Sequence, residues 1–145
     1  MLIYLDTVIL ISAIEGEPAL RSEALARLRR LDAAGDRPAI SDLTCLECLI
    51  KPIRTGDSAL RDDYEKLLVA PGLIRLPITS AVFERATYYR ALHRYGLADS
   101  MHLATAALGG CGGFLTNDAR LATFRDLPLN CSRRGSGRAA ADRAR

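Results

Sequence analysis

The period of the apolar positions changes several times along the chain, and each change marks an element. Leu2-Ile3-Tyr4-Leu5 is a short unbroken apolar run with β-branched and aromatic members, the pattern of a buried strand over residues 2–6. Thr7 to Ile14 stays apolar and predicts a helix. Pro18 suits a first helical turn, and Leu20, Leu25, Leu28 and Leu31 follow it at near-helical spacing between Arg and Glu residues. That predicts a second helix over 18–33, ended by Gly35. Arg37-Pro38-Ala39-Ile40-Ser41 reads as a second strand. Ser41 or Asp42 can cap a third helix, which Pro52 and Gly56 are expected to end. Asp57 caps a fourth helix through Leu68, and Pro71-Gly72 is a turn before a third strand, Leu73 to Leu76. Thr79 or Ser80 caps a helix to about His93, which Tyr95-Gly96 breaks. An Ala-rich helix over 97–108 stops at Gly109-Gly110. Gly113 to Thr116 is a fourth strand, Leu121 to Phe124 a short helix, and Leu127-Pro128-Leu129 a weak last strand. Strands alternating with helices predict an α/β fold with a parallel sheet covered on both faces. There is no internal repeat and no domain boundary before about residue 131.

A chain of 145 residues with 49% hydrophobic residues is the size of one domain with a sizeable core. Its first apolar run is interrupted by Asp6, no run reaches membrane-spanning length, and no basic segment precedes that first run as in a secretory leader. The expected location is the cytoplasm, with no membrane partner. The net charge of +3 is uneven: residues 131–145 hold five Arg against Asp142 alone, which leaves a slight acidic excess in residues 1–130. Arg133, Arg134, Arg138, Arg143 and Arg145 are separated by Gly, Ala and Ser without aromatic anchors. This basic tail is therefore read as a solvated, disordered end rather than as a nucleic-acid grip. Cys45 and Cys48 form a CxxC, but no second pair completes a zinc site, so they are read as buried small hydrophobes.

Four acids stand where a folded α/β chain needs a reason for them. Asp6 ends the first strand, Glu47 lies within the apolar Leu43–Ile50 stretch, Asp99 opens the Ala-rich helix, and Asp118 follows the fourth strand. Carboxylates are seldom buried unless paired or bound to metal. Ligands of open parallel sheets bind beyond the carboxyl ends of the strands, which is where Asp6 and Asp118 fall. Asp99 could serve a helix dipole and Asp118 a turn, but the combination points to one acidic pocket. Gathered carboxylates repel, and a hard divalent cation, Mg²⁺ or Mn²⁺, relieves that repulsion and can stabilise charge on phosphodiester oxygens. His93 and His102 are the only histidines, so a histidine-pair ribonuclease mechanism is poorly supported. His102, three residues after Asp99, is read as a packing or supporting residue rather than a ligand. A phosphoacceptor receiver domain would want adjacent acids at the first strand and a late Lys near the pocket, and the chain has only Lys51 and Lys66. A haloacid-dehalogenase-type phosphatase would want Asp-x-Asp, where this chain has Asp6-Thr7-Val8.

Four segments then carry a family resemblance: Ile3-Tyr4-Leu5-Asp6-Thr7, Ser41-Asp42-Leu43-Thr44-Cys45-Leu46-Glu47, Leu97-Ala98-Asp99-Ser100-Met101-His102-Leu103-Ala104-Thr105-Ala106 and Phe114-Leu115-Thr116-Asn117-Asp118. In this order the chain resembles the PIN-domain ribonucleases, most closely the VapC toxins of type II toxin–antitoxin systems, over about residues 2–130. The resemblance implies a PIN-like α/β/α sandwich with a short central parallel sheet, forming a nuclease domain over 1–130 with the tail, 131–145, beyond it. It implies a Mg²⁺- or Mn²⁺-dependent endoribonuclease. Asp6 and Asp99 would be the principal metal ligands, with Glu47 and Asp118 completing the catalytic pocket. Thr7, Ser41, Thr116 and Asn117 would hold the carboxylates by hydrogen bonds. The implied partners are an RNA substrate, a VapB-type antitoxin that covers the groove, and a second copy in a homodimer. Val8 stands where the family commonly has Asn or Ser. The alternative function is a non-toxin PIN-like domain kept for binding a protein partner, with weak or no nuclease activity.

Overall fold

The structure, a computed structural model, describes residues 1–131. The elements run β1 (Leu2–Leu5), α1 (Thr7–Glu15), α2 (Pro18–Ala33), β2 (Arg37–Ser41), α3 (Asp42–Thr55), α4 (Ser58–Leu68), β3 (Ile74–Leu76), α5 (Ser80–His93), α6 (Leu97–Leu108), β4 (Gly113–Thr116), a 3₁₀ turn (Ala119–Thr123) and β5 (Leu129–Cys131). The strands form one parallel sheet in the order β3-β2-β1-β4-β5. This is the mixed α/β architecture that the alternating pattern predicts.

Period-two alternation in the strands divides the core in two. Tyr4, Ala39, Leu76 and Phe114 face one side, where they meet Val82, Ala86 and Tyr89 of α5 and Leu103, Ala104 and Ala106 of α6. Tyr4 and Phe114 stack there with ring centroids 5.4 Å apart. Ile3, Leu5, Ile40 and Leu115 face the other side, against Ile9 and Leu10 of α1, Cys48 of α3 and Tyr64 and Leu68 of α4. Because β1, β2 and β4 are parallel, their carboxyl ends share one sheet edge. Tyr4 pairs with Ala39 and Leu5 with Leu115, and Asp6 N–H continues the ladder to the Leu115 carbonyl at 2.9 Å. The chain steps from β1 outward to β3, then returns to the other side of β1 for β4. That reversal makes a topological switch point beyond Asp6, the usual ligand position in such sheets.

Several local expectations are revised. Pro52 lies inside α3 instead of ending it. It removes one backbone donor, and the helix continues to Thr55, where Gly56 at φ +68° closes it. Of the two proposed caps, Ser41 takes the position, in a reciprocal pair with Thr44. The short helix near Leu121 is the 3₁₀ turn, which begins at Ala119. The last strand is Leu129–Cys131, starting two residues later than its apolar pattern suggests. Backbone pairing to the free edge of β4 specifies β5, and this needs no apolar alternation. Cys131 thus belongs to the sheet, and the expected tail from residue 132 onward lies outside the described residues. Cys48 is buried and Cys45 half-buried, both as free thiols, in accord with their reading as small hydrophobes. Among the described residues no helix is long and apolar enough to cross a membrane.

Candidate active site

Asp6 leaves β1 at the sheet edge and is 8% exposed. Thr116, at the end of the neighbouring β4, donates its hydroxyl to Asp6 Oδ2 at 2.5 Å, and Thr116 Oγ1 in turn accepts the Asp118 N–H at 3.0 Å. One buried threonine therefore fixes two acids of the predicted set relative to each other. Burial pushes the Asp6 carboxyl above its ordinary range; the Thr116 bond opposes this, and the charges of Asp99 and Glu47 add to it. Asp99, in the first turn of α6, is likewise pushed up, by burial first and then by Asp118 and Glu47. Each of the four carboxylates is thus within Coulomb reach of at least one other, although they come from four separate segments.

Glu47 is held from below. Its Oε1 accepts from Thr7 Oγ1 at 3.0 Å and from His102 Nε2 at 2.5 Å. Burial alone would raise this carboxyl, but the contacts from His102 and Thr7 outweigh it and bring it below its ordinary range. His102 Nδ1 lies 2.8 Å from the Tyr4 hydroxyl, which lies 2.7 Å from Ser41 Oγ. Burial raises Tyr4 beyond any working pH, so its hydroxyl keeps its proton. A buried polar chain thus runs from the cap of α3 through Tyr4 and His102 to Glu47. Of the residues predicted to hold carboxylates, Thr116 reaches Asp6 and Thr7 reaches Glu47. Ser41 acts at one remove, because its hydroxyl bonds Tyr4 and the α3 cap instead of an acid. Asn117 Oδ1 accepts from Arg27 Nη1. His102 occupies the supporting position expected of it.

Three residues of the site were not singled out from the sequence. Arg27 of α2 is 6% exposed and donates from Nη2 to the Thr116 carbonyl at 3.1 Å, so it anchors the turn that carries Asp118. Its signal was present: it sits at helical spacing from Ala24 and Leu31 on the inward stripe, while Leu20 stays exposed. Tyr4 looked like one more apolar strand residue. Arg120 folds back on Asp118, with Nε 3.0 Å and 2.9 Å from the two carboxylate oxygens, and its Nη2 stands 3.7 Å from Asp99 Oδ2. These contacts from Arg120 lower the Asp118 carboxyl. Among the described residues no three His, Cys, Asp or Glu side chains stand at the spacing of a finished metal cage. The donor set is nonetheless hard oxygen throughout, the kind that suits Mg²⁺ or Mn²⁺.

Replacing Thr116 by Val keeps the side chain's shape and removes both of its hydrogen bonds. We expect a loss of about 1–3 kcal/mol, the cost of leaving buried polar groups without partners. Urea unfolding checks this, and an unchanged midpoint would show that Thr116 does not carry the junction.

The fold and site together define a class: a small parallel α/β protein with carboxylates converging at the switch point of its sheet. The chain belongs to the PIN-domain family, whose model matches residues 3–127. No curated protein sequence matches it. Its fold is similar to the structure of VapBC2 from Rickettsia felis bound to a DNA fragment from its promoter, with TM-score 0.73 at 17% identity over 90% of this chain and 98% of that one. It is also similar to DNA-bound VapBC from Salmonella typhimurium, with TM-score 0.69 at 18% identity over 90% of this chain and 98% of that one. Mycobacterium tuberculosis VapC20, a toxin that cleaves the sarcin-ricin loop, superposes with TM-score 0.64 at 18% identity over 87% of this chain and 98% of that one. At such identities these likenesses establish the fold.

Proposed function

We propose that the chain is the toxin of a type II toxin–antitoxin pair and cleaves RNA phosphodiester bonds with Mg²⁺ or Mn²⁺ at the four-carboxylate site. The observation that carries this reading is the convergence of Asp6, Glu47, Asp99 and Asp118 at one sheet edge, with Asp6 and Asp99 pushed up by burial and by their acidic neighbours. The raised Asp6 and Asp99 are the acids that gain most when a divalent cation enters. Asp6 and Asp99 are its principal ligands in this reading, with Glu47 and Asp118 completing the set directly or through water. Thr116 keeps Asp6 in place, and Thr7 with His102 keeps Glu47 turned to a single orientation. A bound cation supplies Lewis acidity for charge on the phosphate oxygens.

The nuclease unit in this reading runs from residue 1 through Cys131, the end of β5 and one residue past the boundary expected at 130, and the basic segment follows it. The named VapBC structures support a VapB-type antitoxin as partner, and the reading includes a homodimer working in the cytoplasm. End-labelled total tRNA and structured RNA should be cut with Mn²⁺ and spared with EDTA. Millimolar Mn²⁺ should also raise Tm, by about 2.7 kcal/mol of added stability at a hundred times Kd. Metal binding without cleavage across that RNA set would return the chain to the alternative, a PIN-like domain that binds a protein partner.

A further inference from the structure

The geometry points to Arg120 as the internal counter-ion of the acidic pocket: its guanidinium holds Asp118 and reaches Asp99, so a divalent cation must displace it to bind. The inference rests on the four-carboxylate reading and deepens it. Arg120 begins as an ordinary 3₁₀-turn residue whose N–H bonds Asp118 Oδ1 at 2.9 Å. A merely local pair would end there. Instead Nε contacts both Asp118 oxygens, Nη2 contacts Asp118 again, and Nη2 extends to Asp99 on α6 at 3.7 Å. The planar fork of Arg suits this two-oxygen grip, which a Lys ammonium would not reproduce. Asp118 and Asp99 are also acids that the proposed cation would use.

A guanidinium that occupies both Asp118 oxygens and reaches Asp99 repels an incoming divalent cation and competes with it for the same lone pairs. In the described structure the guanidinium has those contacts, while no three ligating side chains stand at metal-holding spacing. Arg120 is 79% exposed, so water and salt screen its hold. Its pairing is an obstacle that millimolar metal can overcome, not a permanent block. The chain thus carries its own competitor for the cation and needs no partner to supply one.

The test titrates the full 145-residue chain with Mn²⁺ by calorimetry, without RNA, beside Arg120→Ala and Arg120→Gln. Both variants should bind Mn²⁺ more tightly than wild type at low salt, by about two- to fivefold, the range an exposed ion pair is worth. The gap should close in molar salt, where the pair is screened in wild type too. Arg61→Ala, which removes the ion pair with Glu65 on the surface of α4, should leave affinity unchanged. Equal or weaker binding by the Arg120 variants, with wild type binding well, would overturn the inference and leave the carboxylate site standing. No Mn²⁺ binding by any of the proteins would overturn both.

Discussion

Asp6→Asn and Asp99→Asn are each expected to reduce RNA cleavage by about 10²–10³-fold, equivalent to roughly 3–4 kcal/mol of lost transition-state stabilisation. The fold should survive, and in EDTA it should be firmer than wild type. Both acids have folded-state pKa values raised by burial and neighbouring acids. Between the unfolded and folded pKa the native state therefore binds more protons than the unfolded chain, and stability falls as pH rises through that window. The cost is absent below the ordinary carboxylate range and fully present above the folded pKa. An Asn carries no such cost. Melting without metal should show both variants above wild type at neutral pH, by about 3 °C for each kcal/mol relieved, with the advantage vanishing in acid below the ordinary Asp range. With Mn²⁺ in the proposed site the order should reverse, because only wild type retains all four carboxylates. Full cleavage by either variant would remove the carboxylate mechanism, and a lower Tm without metal would show that the acids are not in repulsion.

Arg27→Ala is expected to cost about 2–4 kcal/mol of stability. Hydrogen bonds to a charged group are worth roughly 1.5–3 kcal/mol, and the buried stem adds packing. Arg27 donates to the Thr116 carbonyl and to Asn117 Oδ1, so it ties α2 to the turn between β4 and the 3₁₀ segment. Loosening that turn displaces Thr116 and with it the bond to Asp6. A misplacement on the order of 1 Å can cost about a hundredfold in rate, so cleavage should fall with stability. Arg27→Met separates the two contributions: it keeps most of the stem, loses the hydrogen bonds, and should fall between wild type and Ala in urea. Wild-type stability in both variants would show that the guanidinium has no anchoring role.

Most of the architecture could be read from periodicity because each strand and helix has its own apolar rhythm, and Pro18, Gly35, Asp57 and Gly56 mark several boundaries. The four acids were legible for the opposite reason: they break that rhythm. Tyr4 was not, since a tyrosine in an apolar run gives no hint that its hydroxyl meets His102, which is distant in the chain. Arg27 broke the stripe of α2, but α2 has several other arginines, and only the tertiary fold shows which one turns inward. Arg120 was hidden because its partner Asp99 comes from another helix. β5 was misplaced by two residues because its position follows from the edge of β4 and not from its own side chains.

The order of the strands has a consequence for the birth of the protein. β1 leaves the ribosome well before β4, yet β4 is one of its two neighbours, and Asp6 meets Thr116 across a sequence separation of 110 residues. Contacts that close so long a loop form late, and sheets built from them fold slowly. Asp99 and Asp118 also lie in the last third of the chain. A nascent or truncated polypeptide can therefore pair β1 with β2 and bury half of the core without assembling the carboxylate pocket. The pocket becomes complete only after β4 and the turn that carries Asp118 have been made, so translation itself times its appearance.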